Sequence, residues 1–199
     1  MRRKFSIHTV LPLTALLAGA AGAQESMQVD RDTGLPIGPG GYRGGLFTGG
    51  SPVARTTVSF DGKKYRPGSV VINTAERRLY YVIDEGRAVR YGIGVGRLGF
   101  TWTGMKSVSQ KREWPDWTPP PQMLKRRPDL PRWMPGGPNN PLGARAIYLG
   151  STLYRIHGSN EPETIGQAVS SGCFRMVNED VIDLYGRVRV GTAVHVLLK

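Results

Sequence analysis

Ser170-Ser171-Gly172-Cys173-Phe174-Arg175-Met176, sixteen residues after His157-Gly158-Ser159, holds the only cysteine of this 199-residue chain. A thiol with an ordinary pKa of about 8.5 is only slightly ionised at neutral pH, so a nucleophilic cysteine needs a nearby base or positive field. His157 can supply either, and lowering the thiol by about two units is within the reach of one imidazolium partner. Gly172, lacking a Cβ, lets the chain take a strained conformation, which would aim the amides of Gly172 and Cys173 at a developing oxyanion. Cysteine count alone leaves two other readings open, an inert buried thiol and an intermolecular bridge. The glycine, hydroxyl and arginine neighbours of Cys173 make a poor apolar core.

Outward from this stretch the pattern is β-rich. Val70-Val71-Ile72, Leu79 to Ile83, Val89 to Val95, Ala146 to Leu149 and Ala193 to Leu198 carry β-branched and aromatic residues between turn signals. Asp84-Glu85-Gly86 reads as a hairpin turn. A short helix is expected after Pro162, through Gln167 and Ala168. A second should start with Asn178 as N-cap, with Val181, Leu184, Tyr185 and Val188 on one face behind the cysteine loop. His195, inside an apolar run, reads as a strand histidine. Residues 111–143 hold three of the four tryptophans and most of the prolines without strand or helix periodicity, which predicts an ordered flap near the site.

Residues 1–23 have a basic start, Arg2-Arg3-Lys4, a short apolar stretch and Ala21-Gly22-Ala23. This is the pattern of a signal peptide, too short to span a bilayer, and it predicts export. Residues 24–57 are rich in Gly and Pro and read as a flexible tail; residues 58–199 read as one folded domain. The whole chain carries +12. Removing three cations and no acids with residues 1–23 leaves +9, which outside the cytoplasm suits anionic envelope surfaces or serves plain solubility. No pairing of aromatic and basic residues suggests base stacking, so nucleic acid is not an expected partner.

His157-Gly158-Ser159, then Ser170 to Met176 and Asn178, together with Asn140-Pro141-Leu142-Gly143-Ala144-Arg145-Ala146, resemble the L,D-transpeptidase catalytic domain, the YkuD family. The resemblance covers about Gly68 to Lys199. It implies a mainly β, sandwich-like fold with one or two short helices and no metal or organic cofactor. It further implies Cys173 as nucleophile and His157 as general acid and base. Gly172, Ser170, Ser171, Arg175, Gly158 and Ser159 would then serve the oxyanion or the substrate. Arg175 would either grip a substrate carboxylate by its planar fork or brace the loop. The substrate implied is a peptidoglycan stem tetrapeptide that loses its terminal D-alanine. The acceptor is an amine of a second stem, giving a 3-3 cross-link, or of a wall-anchored lipoprotein. The expected location is the periplasm or cell wall. This chain has Ser171 where members often have His, and Phe174 where they often have Ile or Val. A hydrolase of the same fold and a non-catalytic wall-binding protein are the alternatives.

Overall fold

The computed structural model describes residue 51 and residues 53–199, with the backbone of β1 (Gln28–Val29) and β2 (Pro36–Ile37), which pair antiparallel. The expected signal peptide and most of the expected tail lie outside the described residues. From Thr56 onward strands dominate. β3 (Thr56–Ser59), β6 (Arg87–Gly92), β5 (Arg78–Val82), β4 (Val70–Asn73), β13 (Ala193–Leu197), β8 (Gly104–Glu113), β9 (Arg145–Leu149), β10 (Arg155–His157) and β12 (Phe174–Arg175) lie side by side in that order. β7 (Val95–Gly96) pairs with β11 (Ala168–Ser170) separately. The sheet is mixed, with β13 parallel to β4 and β10 parallel to β12.

β8 explains why one ladder can wrap a core from two sides. Its first residues pair with β13, Gly104 to Ser107 facing Val196 to Ala193. Its later residues pair with β9, and the register shifts between Val108 and Gln110. A bulged strand that serves two sheets bends the surface, as at the corner of a sandwich. The core so enclosed is built from Val70, Ile72, Leu79, Tyr91, Val108, Ile147, Ile156 and Phe174 with their neighbours. α2 (Asn178–Arg187) lays Val181 and Leu184, both fully buried, onto this core, with Tyr185 packed beside them.

Three expectations are corrected. Asn178 is the first helical residue and Val177 the N-cap, because the Asn178 carboxamide is committed elsewhere: its Oδ1 accepts from the Ala144 N–H at 2.9 Å. The helix expected after Pro162 is one 3-10 turn, Pro162–Thr164, since Ala168–Ser170 is drawn into strand β11 beside β7. The segment 111–143 is not uniformly irregular. Lys111 to Glu113 finish β8, where Lys111 Nζ donates to the carbonyls of Tyr185 and Val188 at 2.6 and 2.7 Å and so closes the end of α2. Within it α1 (Pro121–Arg126) forms a short helix, and Trp117 and Met134 bridge the segment's two halves. Its tryptophans divide, Trp117 buried and Trp133 56% exposed. The hairpin turn at Asp84-Glu85-Gly86 joins β5 to β6, and His195 sits on β13 with its ring 5.0 Å from that of Tyr65.

Candidate active site

The pairing of β10 with β12 decides what the motif residues can do together. Ile156 faces Phe174 and His157 faces Arg175 in parallel register. Side chains alternate along a strand, so Ile156 and Phe174, both in the core, send their neighbours to the opposite face. That face receives Arg155 and His157 from β10, and Arg175 with the preceding Cys173 from β12. With a rise of about 3.3 Å per residue and strands about 4.8 Å apart, His157 and Cys173 sit on a diagonal of about 8 Å between Cα atoms. The sixteen-residue separation in sequence therefore becomes adjacency across one strand pair.

His157 is buried, 5% exposed, and its Nδ1 lies 2.6 Å from the Gly158 carbonyl oxygen. A carbonyl only accepts, so Nδ1 carries the proton and Nε2 is left as the basic nitrogen. Burial, helped by Arg175 and Arg155, pushes His157 down to about 3, despite the pull of Gly158 in the other direction. The imidazole is therefore neutral at physiological pH. The Cys173 residue is half-buried, with Sγ 3.6 Å from the Leu153 carbonyl oxygen. Burial pushes its thiol up, against the opposing pull of Arg155 and Arg175. Of the two roles considered for His157, a neutral imidazole suits a base and not a positive field, and the positive charges acting on the thiol are those of Arg155 and Arg175.

Gly172 shows why the cysteine loop needs a residue without a side chain. Its φ is +106°, and a Cβ there would meet the Tyr154 ring at 2.6 Å and the Phe100 carbonyl oxygen at 3.2 Å. Trp102 stacks on Tyr154 at 4.6 Å and donates its indole N–H to the Gly172 carbonyl at 2.9 Å. Gly158 is required for a different reason, since a Cβ would overlap the Asn178 carboxamide oxygen.

Several residues expected to face substrate are instead engaged in the scaffold. The Gly172 N–H, expected to aim at an oxyanion, donates to Ser170 Oγ at 3.1 Å, and Ser170 Oγ in turn donates to the Cys173 carbonyl at 2.6 Å. Ser170 is 4% exposed and closes the loop on itself, which leaves the Cys173 N–H as the oxyanion candidate of the two amides. Ser159 is equally buried and its Oγ accepts from the Glu161 N–H at 3.0 Å. Gly158 donates its own N–H to Arg145 O and orients His157 through its carbonyl. Arg175 Nη1 pairs with Glu161 Oε2 at 2.8 Å and reaches Thr164 Oγ1 at 3.4 Å, which is the bracing arrangement. Ser171 is half-buried.

Sequence reasoning missed Arg155, Tyr154 and Trp102. Arg155 had a legible signal, its place two residues before His157 on a short strand and hence on the same face. The flap reaches this region through Phe100, whose ring carries the guanidinium of Arg97 at 4.6 Å and that of Arg126, from α1, at 5.3 Å. An open depression beside Met105, His195 and Leu198 is lined by none of these residues, so the chemistry locates the site and the hollow does not.

A family model, the L,D-transpeptidase catalytic domain (YkuD), matches residues 67–196. The probable L,D-transpeptidase ErfK/SrfK of Escherichia coli strain K12 is 42% identical over 137 residues, 64% of this chain and 43% of that protein. The chain thus spans less than half the length of this curated relative. A crystal structure from Brucella melitensis, described as a probable carnitine operon oxidoreductase, is 47% identical with a TM-score of 0.50, covering 73% of this chain and 94% of that one. L,D-transpeptidase 3 from Mycobacterium tuberculosis shares the fold with a TM-score of 0.53 at 18% identity, covering 65% of this chain and 60% of that one. The matched span runs from just before β4 through most of β13 and contains both His157 and Cys173, and the chain belongs to the L,D-transpeptidase catalytic domain family.

Proposed function

We propose that this chain is an exported, cysteine-dependent L,D-transpeptidase that acts on peptidoglycan stem tetrapeptides. The observation that carries the reading is the shared face of β10 and β12, with a neutral histidine whose Nε2 is free of its proton beside a lone cysteine. In the first half-reaction His157 Nε2 takes the thiol proton as Cys173 Sγ attacks the carbonyl of the third stem residue. The C–N bond to the terminal D-alanine breaks, His157 returns the proton to the departing amine, and a thioester remains. In the second, an amine attacks the thioester, the proton it sheds passes to His157, and the thiol is restored. Such an amine, with an ordinary pKa of about 10.4, is under about 0.1 per cent neutral at pH 7, so His157 must relieve it of a proton during attack.

Transfer requires that water not take the place of the amine. The flap, whose Arg126 guanidinium lies over the Phe100 ring at 5.3 Å, is the segment suited to excluding it. The acceptor is a second stem or a lysine of a wall-anchored lipoprotein, and the place of action is the periplasm or cell wall. An oxidoreductase reading would have one feature to stand on, Gly94-Val95-Gly96-Arg97-Leu98-Gly99, spaced like a dinucleotide fingerprint. That fingerprint works by opening a helix under a pyrophosphate, and here the run leads through a turn into β8.

The test is incubation of the purified protein and of its Cys173→Ala form with defined disaccharide tetrapeptides, read by mass spectrometry. Cysteine-dependent dimers with loss of D-alanine are expected. Tripeptide monomers alone would make the protein a hydrolase of the same fold. Unchanged substrate with retained wall affinity would make it a binding protein.

A further inference from the structure

Arg155 is the one site cation without an acidic counterpart. Among the described residues no carboxylate pairs with it, and its Nε is buried with no hydrogen-bond partner. Its guanidinium lies over the ring of Tyr148, its partner on β9, at 5.1 Å. Continuing the register of Ile156 with Phe174 back by one residue sets Arg155 directly across from Cys173. The charge of Arg155, like that of Arg175, favours the ionised form of the thiol against the effect of burial. An unpaired guanidinium donor costs free energy while the neighbouring sulfur is neutral, and that cost is offset when the sulfur becomes an anion.

We infer that Arg155 is a catalytic residue of this site, the cation that stabilises Cys173 as a thiolate at the moment of attack. The inference rests on the transpeptidase reading only in taking Cys173 as the nucleophile. The charged groups acting on the thiol are Arg155 from β10 and Arg175 from β12, and His157 lies on the same strand face as Arg155. Arg175 is a weaker contributor, because Glu161 neutralises it at 2.8 Å. His157 is neutral and takes the proton. The division of labour is that the imidazole moves the proton and Arg155 holds the charge left behind.

The test reads the thiol without any wall substrate, so it is independent of whether the protein transfers, hydrolyses or only binds. The rate of Cys173 alkylation by iodoacetamide, in which the thiolate displaces iodide and its proton passes to the buffer, is followed against pH by intact mass. It is compared for the unaltered protein, Arg155→Gln, Arg155→Lys and Arg175→Gln, each checked for folding by its thermal melt. Arg155→Gln should raise the midpoint by about one pH unit, the scale of one nearby charge. The rate at pH 7 should fall only about fourfold, since a more basic thiolate is intrinsically more nucleophilic. Arg155→Lys should restore most of the shift and Arg175→Gln should move the midpoint less. Arg155→Met, which keeps the length of the stem, replaces the Gln variant if that variant does not fold. An unchanged midpoint in Arg155→Gln, or equal shifts in the Gln and Lys variants, overturns the inference, because charge would then not be the cause.

Discussion

Two polar clusters are built into this domain, and they are organised in opposite ways. On α2, Asp183 accepts from Arg187 through both carboxylate oxygens, at 2.8 and 3.1 Å, and from the Tyr91 hydroxyl at 2.5 Å. Arg55, entering from the N-terminal side, lies 3.4 Å from Asp180 and 3.7 Å from Asp183. Every charge there has an opposite charge in reach. At Cys173 two arginines converge on a neutral thiol and a neutral imidazole, and only one of the two has a carboxylate partner. A perturbed titratable group is therefore not by itself a mark of function. What separates the clusters is charge left unmatched beside a nucleophile.

The largest effect that would sharpen this contrast is at the nucleophile and its base. Cys173→Ala should abolish release of D-alanine, and His157→Gln should lower it by at least about a hundredfold, read as product formed from a defined tetrapeptide. Asp183→Asn should do the reverse, leaving the alkylation rate of Cys173 alone while lowering stability by about 1–3 kcal/mol, measured by denaturant unfolding. If Asp183→Asn impaired the thiol, the two clusters would be one functional unit and the contrast would fail.

The clusters should also titrate with opposite sign. His157 is held low, near 3, so between about pH 6.5 and 3 the unfolded chain binds a proton that the native one does not. It therefore removes stability as the pH falls through that window. Burial raises Asp180 to about 6, so between about pH 4 and 6 the native state holds the extra proton and stability falls as the pH rises. Thermal melts should then show Asp180→Asn raising the melting temperature at pH 7.5 and leaving it almost unchanged at pH 4. His157→Gln should flatten the acid side of the curve. Identical pH dependence in the two variants would contradict both assignments.

The smallest expected effect concerns the flap. Removing the Arg126 contact on Phe100 with Arg126→Ala should raise the ratio of tripeptide to cross-linked product by a few fold, with the thiol's alkylation unaffected. A ratio that does not move would mean that the segment covers the sheet and does not exclude water.

What the sequence discloses follows burial. β4, β5, β6, β9 and β13 are legible because each has β-branched or aromatic residues sunk in the core. β8 is the longest strand among the described residues and is invisible, since Val108 alone among its ten residues is buried and the others are mostly polar and exposed or half-buried. Its strand character comes from neighbours on both sides, a tertiary cause with no local signature. The sixteen-residue separation of His157 and Cys173 is legible in the sequence. That Arg155 and His157 share the face opposite Ile156, next to the strand that Cys173 leads into, depends on the parallel register of β10 and β12, which is not. The hydroxyls of Ser170 and Ser159, expected to serve the substrate, show a related effect. A hydroxyl beside a nucleophile looks available for substrate until its own hydrogen bonds are known.

The central claim, that Cys173 carries the acyl group with His157 as its base, is tested most directly by intact mass and peptide mapping within seconds of adding a disaccharide tetrapeptide. The account predicts an adduct equal to the donor less D-alanine, confined to the peptide containing Cys173, absent from Cys173→Ala and slow to appear in His157→Gln. Turnover with no adduct on Cys173, or an adduct that survives in Cys173→Ala, would contradict it.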